Sequence, residues 1–188
     1  MLDYAKSNEN AVEVLFRPHP QMWKEFEHYS GEFTKAEQDA YKERWRTATN
    51  AGIDPNANYF PSFYSSDCLV SDFSSLFAAY YFTGKPIIYC RSEKDIFSEV
   101  GWEMYKGFYV ANDWQEVVHY LTELQKGNDP LKEVRKAILK KYLQPNKEKA
   151  AKKIVQKILE DYHKEPQDDL FQITDWTILQ SELKGRLE

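Results

Sequence analysis

Apolar positions along this chain fall into short runs whose period changes, and the changes mark its elements. Val12-Glu13-Val14-Leu15-Phe16 is β-branched and aromatic and reads as a strand. It stops at Arg17-Pro18-His19-Pro20, where two prolines forbid regular structure. Met22–Tyr29 has a short helical pattern. Thr34-Lys35-Ala36-Glu37 then fits a capping box and opens a very polar helix to about residue 49. Residues 50–58, holding Gly52, Asp54-Pro55 and three asparagines, read as turn, and a short helix over 59–65 follows.

The next segment is more apolar. Cys68-Leu69-Val70-Ser71 reads as a buried strand and runs into Asp72-Phe73-Ser74-Ser75. Leu76-Phe77-Ala78-Ala79-Tyr80-Tyr81-Phe82 is apolar almost all round, which predicts a buried helix starting near Phe73. Gly84 stops that helix, and Lys85-Pro86 leads into a second strand over Ile87–Cys90. A helix-prone patch over 93–100 precedes a third strand at 107–110, and Asp113 caps a helix to about Lys126. Beyond Asp129-Pro130 come three amphipathic blocks, 131–142, 147–162 and 174–183, punctuated by Pro145 and Pro166. Strands alternating with helices across short loops predict an α/β, Rossmann-like parallel sheet with helices on both faces and a helical C-terminal tail. Continuous apolar strands fit a sheet covered on both sides.

Composition narrows the class. A chain of 188 residues with 42% hydrophobic content has material for a core and suits one domain or slightly more. No apolar run reaches the ~20 residues of a membrane span, and no charged-then-apolar leader opens the chain. A net charge of −5 argues against a nucleic-acid binder. Cys68 and Cys90 are too few for a disulfide framework or a four-cysteine zinc site, and both sit in apolar strand-like runs, so buried reduced thiols and a cytoplasmic protein are expected. The histidines His28, His119 and His163 have no metal-binding spacing, so no metal site is expected.

Ligands of such sheets bind at the carboxyl ends of the strands. One strand ends in Arg17-Pro18-His19-Pro20, the other in Ser71-Asp72-Phe73-Ser74-Ser75, and both loops face one cleft if the strands lie near each other. Ser74 and Ser75 at a helix start make an anion cradle, with Asp72 turned away as the cap; equally, Asp and Ser cap helices everywhere. Arg17 suits phosphate and His19 suits proton transfer or phosphate donation, with Pro18 and Pro20 fixing the loop. The alternative there is a rigid strand end in which His19 packs or bonds a carbonyl. Lys85 reads as a solvated loop lysine, and Trp102, Tyr105, Phe108 and Tyr109 as core rather than a base-stacking surface. The lysines of 147–157 read as a solvated face, with an acidic partner or anionic lipid as the alternative.

In order, Arg17-Pro18-His19-Pro20, Ser66-Asp67-Cys68-Leu69-Val70-Ser71-Asp72-Phe73-Ser74-Ser75, Gly84-Lys85-Pro86-Ile87-Ile88-Tyr89 and Lys106-Gly107-Phe108-Tyr109 resemble the CDP-glycerol glycerophosphotransferase family of teichoic acid primases and polymerases. That family is similar in fold to the two-lobed (GT-B) glycosyltransferases, and the resemblance implies their C-terminal, donor-binding lobe. It implies transfer of glycerol phosphate from CDP-glycerol, as donor substrate with no further cofactor, to a lipid-linked wall polymer, with release of CMP. It assigns His19 to catalysis at the donor pyrophosphate and Ser74 and Ser75 to the phosphates. The lobe spans residues 1–162 without its opening strand, and 163–188 form a helical extension with no counterpart. With the N-terminal lobe missing, this polypeptide is expected not to catalyse alone. A cytoplasmic protein of a bacterial cell-wall pathway, peripheral on the inner face of the membrane, is implied. The rival readings are a nucleotide-sugar glycosyltransferase lobe for capsular polysaccharide and a non-catalytic nucleotide- or partner-binding module.

Overall fold

The computed structural model describes residues 1–29, 33–72, 74–93, 95–144, 146 and 149–162. Met1–Leu143 forms one compact unit, and the chain from Gln144 belongs to a second. His163, the predicted helix at 174–183 and the whole extension from 163 lie outside the described residues.

The first unit opens with helix α1 (Leu2–Ser7), strand β1 (Val14–Phe16), helices α2 (Met22–Tyr29) and α3 (Lys35–Arg46), and strand β2 (Ala51–Ile53). The predicted capping box is present in full: Thr34 accepts from the Glu37 backbone N–H while the Glu37 carboxylate accepts from that of Thr34. Strand β2 corrects the turn reading of residues 50–58. It pairs parallel to β1 in register Val14↔Ala51, Leu15↔Gly52 and Phe16↔Ile53. Ala-Gly-Ile has little strand propensity of its own, so pairing with β1 makes it a strand. Asn50, buried at its start, donates through its side-chain amide to the carbonyls of Ala5 and Val12, both at 2.7 Å, and so ties α1 to β1.

Helix α4 (Phe60–Ser65) leads to the second sheet: β3 (Leu69–Ser71), α5 (Leu76–Tyr81), β4 (Ile87–Cys90), α6 (Glu99–Tyr105), β5 (Tyr109–Ala111), α7 (Trp114–Gln125) and α8 (Lys132–Ile138), closed by a π-helical turn over Leu139–Leu143. The strands run parallel in the order β3-β4-β5. Strand alternation sorts the core onto two faces. Ile87 and Tyr89 pack with Phe77, Tyr80, Tyr81, Met104, Phe108 and Ile138 on one face, which α5, α6 and α8 cover. Ile88, Tyr109 and Ala111 pack against Val117 of α7 on the other. This is the predicted α/β arrangement, a parallel sheet with helices on both sides. Gly84 stops α5 as expected, adopting φ 71°, where a Cβ would be strained.

Several boundaries moved, two of them near the larger sheet's helices. Residues 95–98 are not helical; α6 starts after Ser98, whose side chain accepts from the Gly101 N–H. Asp95 holds the preceding loop open by accepting from the Tyr89 hydroxyl and from the Ser92 N–H at 3.2 Å. Helix α5 starts at Leu76, three residues after Phe73. Among the described residues no helix is long and apolar enough to cross a membrane.

Lys85 is not a solvated loop lysine. Its Nζ donates to the carbonyls of Phe63 (3.2 Å), Tyr64 (2.6 Å) and Ser66 (2.5 Å) and caps the C-terminus of α4. Lys85→Met leaves these carbonyls without their cation and lowers stability by about 1–3 kcal/mol in a urea titration; an unchanged midpoint would refute the capping role.

Candidate functional site

The β1 strand end is built around one carboxylate. Asp54 follows β2, and its Oδ2 pairs with Nη1 of Arg17 at 2.5 Å and accepts from the Ser62 hydroxyl of α4. Its Oδ1 accepts from the backbone N–H and the side-chain amide of Asn56, both at 2.9 Å. Burial pushes this carboxyl up, but the bonds from Ser62, Asn56 and Arg17 outweigh it and hold it down at about 2. Arg17 completes the clamp by donating through Nη2 to the carbonyls of Asn56 at 2.6 Å and Ala57 at 3.0 Å. Its guanidinium therefore holds the loop to residues 54–57.

With Arg17 fixed and Pro18 half-buried, His19 stands exposed at the tip. Its Nδ1 accepts from the Gln21 backbone N–H at 3.2 Å, and its carbonyl accepts from the Met22 N–H, which starts α2. In the neutral ring the proton then resides on Nε2, which becomes the donor. Pro20, also exposed, lies between the two bonded residues. The loop thus presents an imidazole N–H on a backbone fixed from both sides.

The β3 loop presents hydroxyls. Ser74 is half-buried and Ser75 exposed. Ser74 Oγ accepts from the Leu76 N–H at 3.1 Å, so a lone pair is engaged and the O–H proton remains to be donated. Ser75 takes the N-cap position of α5 without a side-chain capping bond. Asp72 is exposed and makes no hydrogen bond or ion pair among the described residues, so Ser74 takes the turn-holding role expected of Asp72.

The sequence reading needed both loops beside neighbouring strands. Instead β1 pairs with β2 alone, and β3 lies in the other sheet beside β4. Among the described residues no ladder joins the two sheets. Helix α4 makes the connection. Its Ser62 bonds Asp54 of the Arg17 loop, its C-terminus is capped by Lys85 at the entry to β4, and Ser66 following it contacts the Tyr80 hydroxyl at 3.1 Å.

The remaining candidates are structural. Phe108 and Tyr109 are buried, as the core reading expects, while Trp102 stays half exposed against Tyr105. His119 is exposed, its ring tilted against that of Tyr120. Both thiols are free; burial pushes Cys68 up to about 12 and raises Cys90, with the Asp72 carboxylate adding to the latter. Neither is a thiolate nucleophile near neutral pH. Sequence reasoning missed Asp54, Asn56 and Ser62. The Asp-Pro-Asn step was the available signal, because Asp commonly accepts from the N–H two residues on.

A parallel sheet covered on both faces, with donor side chains in the loops after its strands, is the architecture of α/β proteins that hold phosphate-bearing ligands at strand ends. The chain belongs to the CDP-glycerol:poly(glycerophosphate) glycerophosphotransferase family, whose model matches residues 2–160. Its general function is glycerophosphate transfer from a nucleotide-activated donor to a polymer. No curated protein and no solved structure matches the chain significantly.

Asp54 makes the clamp acid-sensitive. Its folded value of about 2 lies below the ordinary 3.8, so its contribution is complete above about pH 4 and is lost as pH falls through about 2. Asp54→Asn lowers stability at pH 7 by about 2 kcal/mol and flattens the pH dependence between 4 and 2. Parallel pH–stability curves for the two proteins would refute the clamp.

Proposed function

We propose that this chain is the donor-binding lobe of a CDP-glycerol glycerophosphotransferase acting on a lipid-linked bacterial wall polymer of the teichoic acid type. The observation that carries this reading is the fixed His19 ring, exposed and with Nδ1 occupied by the Gln21 N–H, in a chain whose family transfers glycerophosphate. The acceptor hydroxyl attacks the glycerol-bearing phosphorus. A new P–O bond forms to the acceptor, the P–O bond to the CMP phosphate breaks, and its electron pair leaves on CMP. Nε2–H of His19 donates to the departing phosphate as charge gathers there. Ser74 and Ser75 donate hydroxyls to the pyrophosphate. Arg17, with its donors directed to Asp54 and to two carbonyls, acts on the ligand by fixing the His19 loop. The base for the acceptor hydroxyl belongs to an acceptor-binding lobe outside this chain, so the chain alone binds donor without turnover.

Calorimetric titration with CDP-glycerol, against CMP and UDP-glucose, tests the reading. Preferential binding of CDP-glycerol, weakened at least tenfold in Ser74→Ala/Ser75→Ala, supports it. Preference for UDP-glucose transfers the assignment to a sugar donor. In the two-lobed enzyme His19→Ala lowers turnover ~100-fold or more with donor affinity little changed, and near-normal turnover would remove His19 from catalysis.

The second unit favours a place at the membrane. Helix α9 (Ala150–Tyr162) exposes Ile154, Val155, Ile158 and Leu159, each more than half accessible, and Lys149, Lys152 and Lys153 are exposed alongside them. An apolar stripe bordered by lysines matches an anionic lipid surface, as on the inner face of a bacterial membrane. Co-sedimentation with phosphatidylglycerol vesicles, lost with Ile158→Glu and weakened by salt, is the expected outcome. Equal sedimentation with neutral phosphatidylcholine vesicles would refute the electrostatic part.

A further inference from the structure

Arginines in this fold have acidic partners, with one exception. Arg17 pairs with Asp54, Arg44 with Asp3, Arg46 with Glu43 and Arg135 with Asp129. Arg91 alone, among the described arginines, forms no ion pair, and it is exposed. Its place in the sheet makes the exception informative. It follows directly on β4, the central strand, at the carboxyl edge. Its backbone N–H donates to the Ala111 carbonyl at 2.8 Å, so the ladder to β5 still fixes the chain at this residue.

That bond closes the last pair of the ladder, Cys90↔Ala111, and an extended Arg91 carries the strand's alternation one residue further. Residues 87, 89 and 91 share one face, and Ile87 and Tyr89 pack there with Phe77, Tyr80 and Tyr81 of α5. Register Ser71↔Tyr89 brings Ser71 onto the same face, from which the chain passes through Ser74 and Ser75 into α5. Arg91 and the serine loop are therefore neighbours at one face of one sheet edge. None of the carboxylates nearby, Asp72, Glu93 and Asp95, forms an ion pair with Arg91 among the described residues. Asp72 follows the last paired residue of β3, Ser71, and its charge raises the Cys90 thiol, which belongs to the α7 face. Asp95 is held by the Tyr89 hydroxyl and the Ser92 N–H. An unpaired guanidinium is left at the sheet edge where Ser74 and Ser75 lead into α5.

We infer that Arg91 is a further ligand of the donor, its guanidinium binding a pyrophosphate oxygen beside Ser74 and Ser75. This rests on the donor-lobe reading for the identity of the ligand, though the anion site itself stands on the placement of Arg91. Arg91 neutralises charge on the pyrophosphate, a task that Arg17, already paired to Asp54, does not perform. A planar fork also suits two phosphate oxygens better than an ammonium does.

Titration of the full chain with inorganic pyrophosphate and with CDP-glycerol tests this, using wild type, Arg91→Ala and Arg91→Lys, with thermal melting to confirm folding. The expected result is binding of both probes by wild type, about tenfold weaker in Arg91→Ala and intermediate in Arg91→Lys, at unchanged melting temperature. Pyrophosphate binding that weakens in Arg91→Ala, without preference for CDP-glycerol, upholds the anion site and overturns the donor. CDP-glycerol binding equal in wild type and Arg91→Ala overturns the role of Arg91 and leaves the donor reading standing. Wild type that binds neither probe overturns both.

Discussion

The buried carboxylate of Asp54 is the interaction on which the rest of this site depends. Taking a carboxylate out of water is costly unless hydrogen bonds replace its hydration. Here Ser62, Asn56 and Arg17 supply those bonds, and each comes from a different part of the chain. Arg17 continues β1, Asn56 belongs to the loop after β2, and Ser62 stands on α4. One charge thereby ties the paired ends of β1 and β2 to a helix that belongs to neither strand. It also determines what Arg17 can do. An arginine whose donors meet a carboxylate and two carbonyls is a positioning group, and the imidazole two residues on gains its fixed backbone from that restraint.

Helix α4 carries this order across to the larger sheet. It is only six residues long and too short to be stable alone. It is held at both ends instead, by Asp54 through Ser62 and by Lys85 through the carbonyls of its last turn. Lys85 is fixed in turn by the tight exit from α5 at Gly84. Two sheets with separate hydrogen-bond networks are thus coupled by side chains at the ends of one short helix. A site drawn from loops on both sheets requires such a coupling, because phosphoryl transfer depends on the relative placement of its donors.

Legibility in the sequence followed the range of the interaction. The Thr34–Glu37 box, the Gly84 stop and the Asp113 cap act within a few residues, and each appears where its residues predict it. The apolar strands of the larger sheet were legible because burial on both faces needs continuous runs. Strand β2 was not, since Ala51-Gly52-Ile53 becomes a strand only against β1. Asp54 looked like a turn residue because its partner Arg17 is 37 positions away. Lys85 looked solvated because it bonds backbone carbonyls, which leave no mark in a sequence. His19 and the serine pair stood out by residue type and strand-end position, whereas the separation of their strands into two sheets depended on pairings that no local pattern encodes.

The period of two in a strand resolves the conflict between Asp72 and the proposed phosphate site. A carboxylate beside the phosphate-directed serines would oppose anion binding if all of them faced the same way. Ser71 and Asp72 are consecutive, however: Ser71 pairs with Tyr89 of the α5 face, and the Asp72 charge is felt by Cys90 of the α7 face. The same alternation sets Arg91 on the serine side. The Asp72 charge thus falls toward α7, away from the face that carries Ser71. A one-residue slip of β3 against β4 would exchange the two, moving the carboxylate to the face where the serine loop enters its helix. The buried ladder of Ile87, Ile88 and Tyr89 opposes such a slip, because either shift would turn core side chains to the wrong side. Core packing thus holds the register that keeps Ser71 on the α5 face.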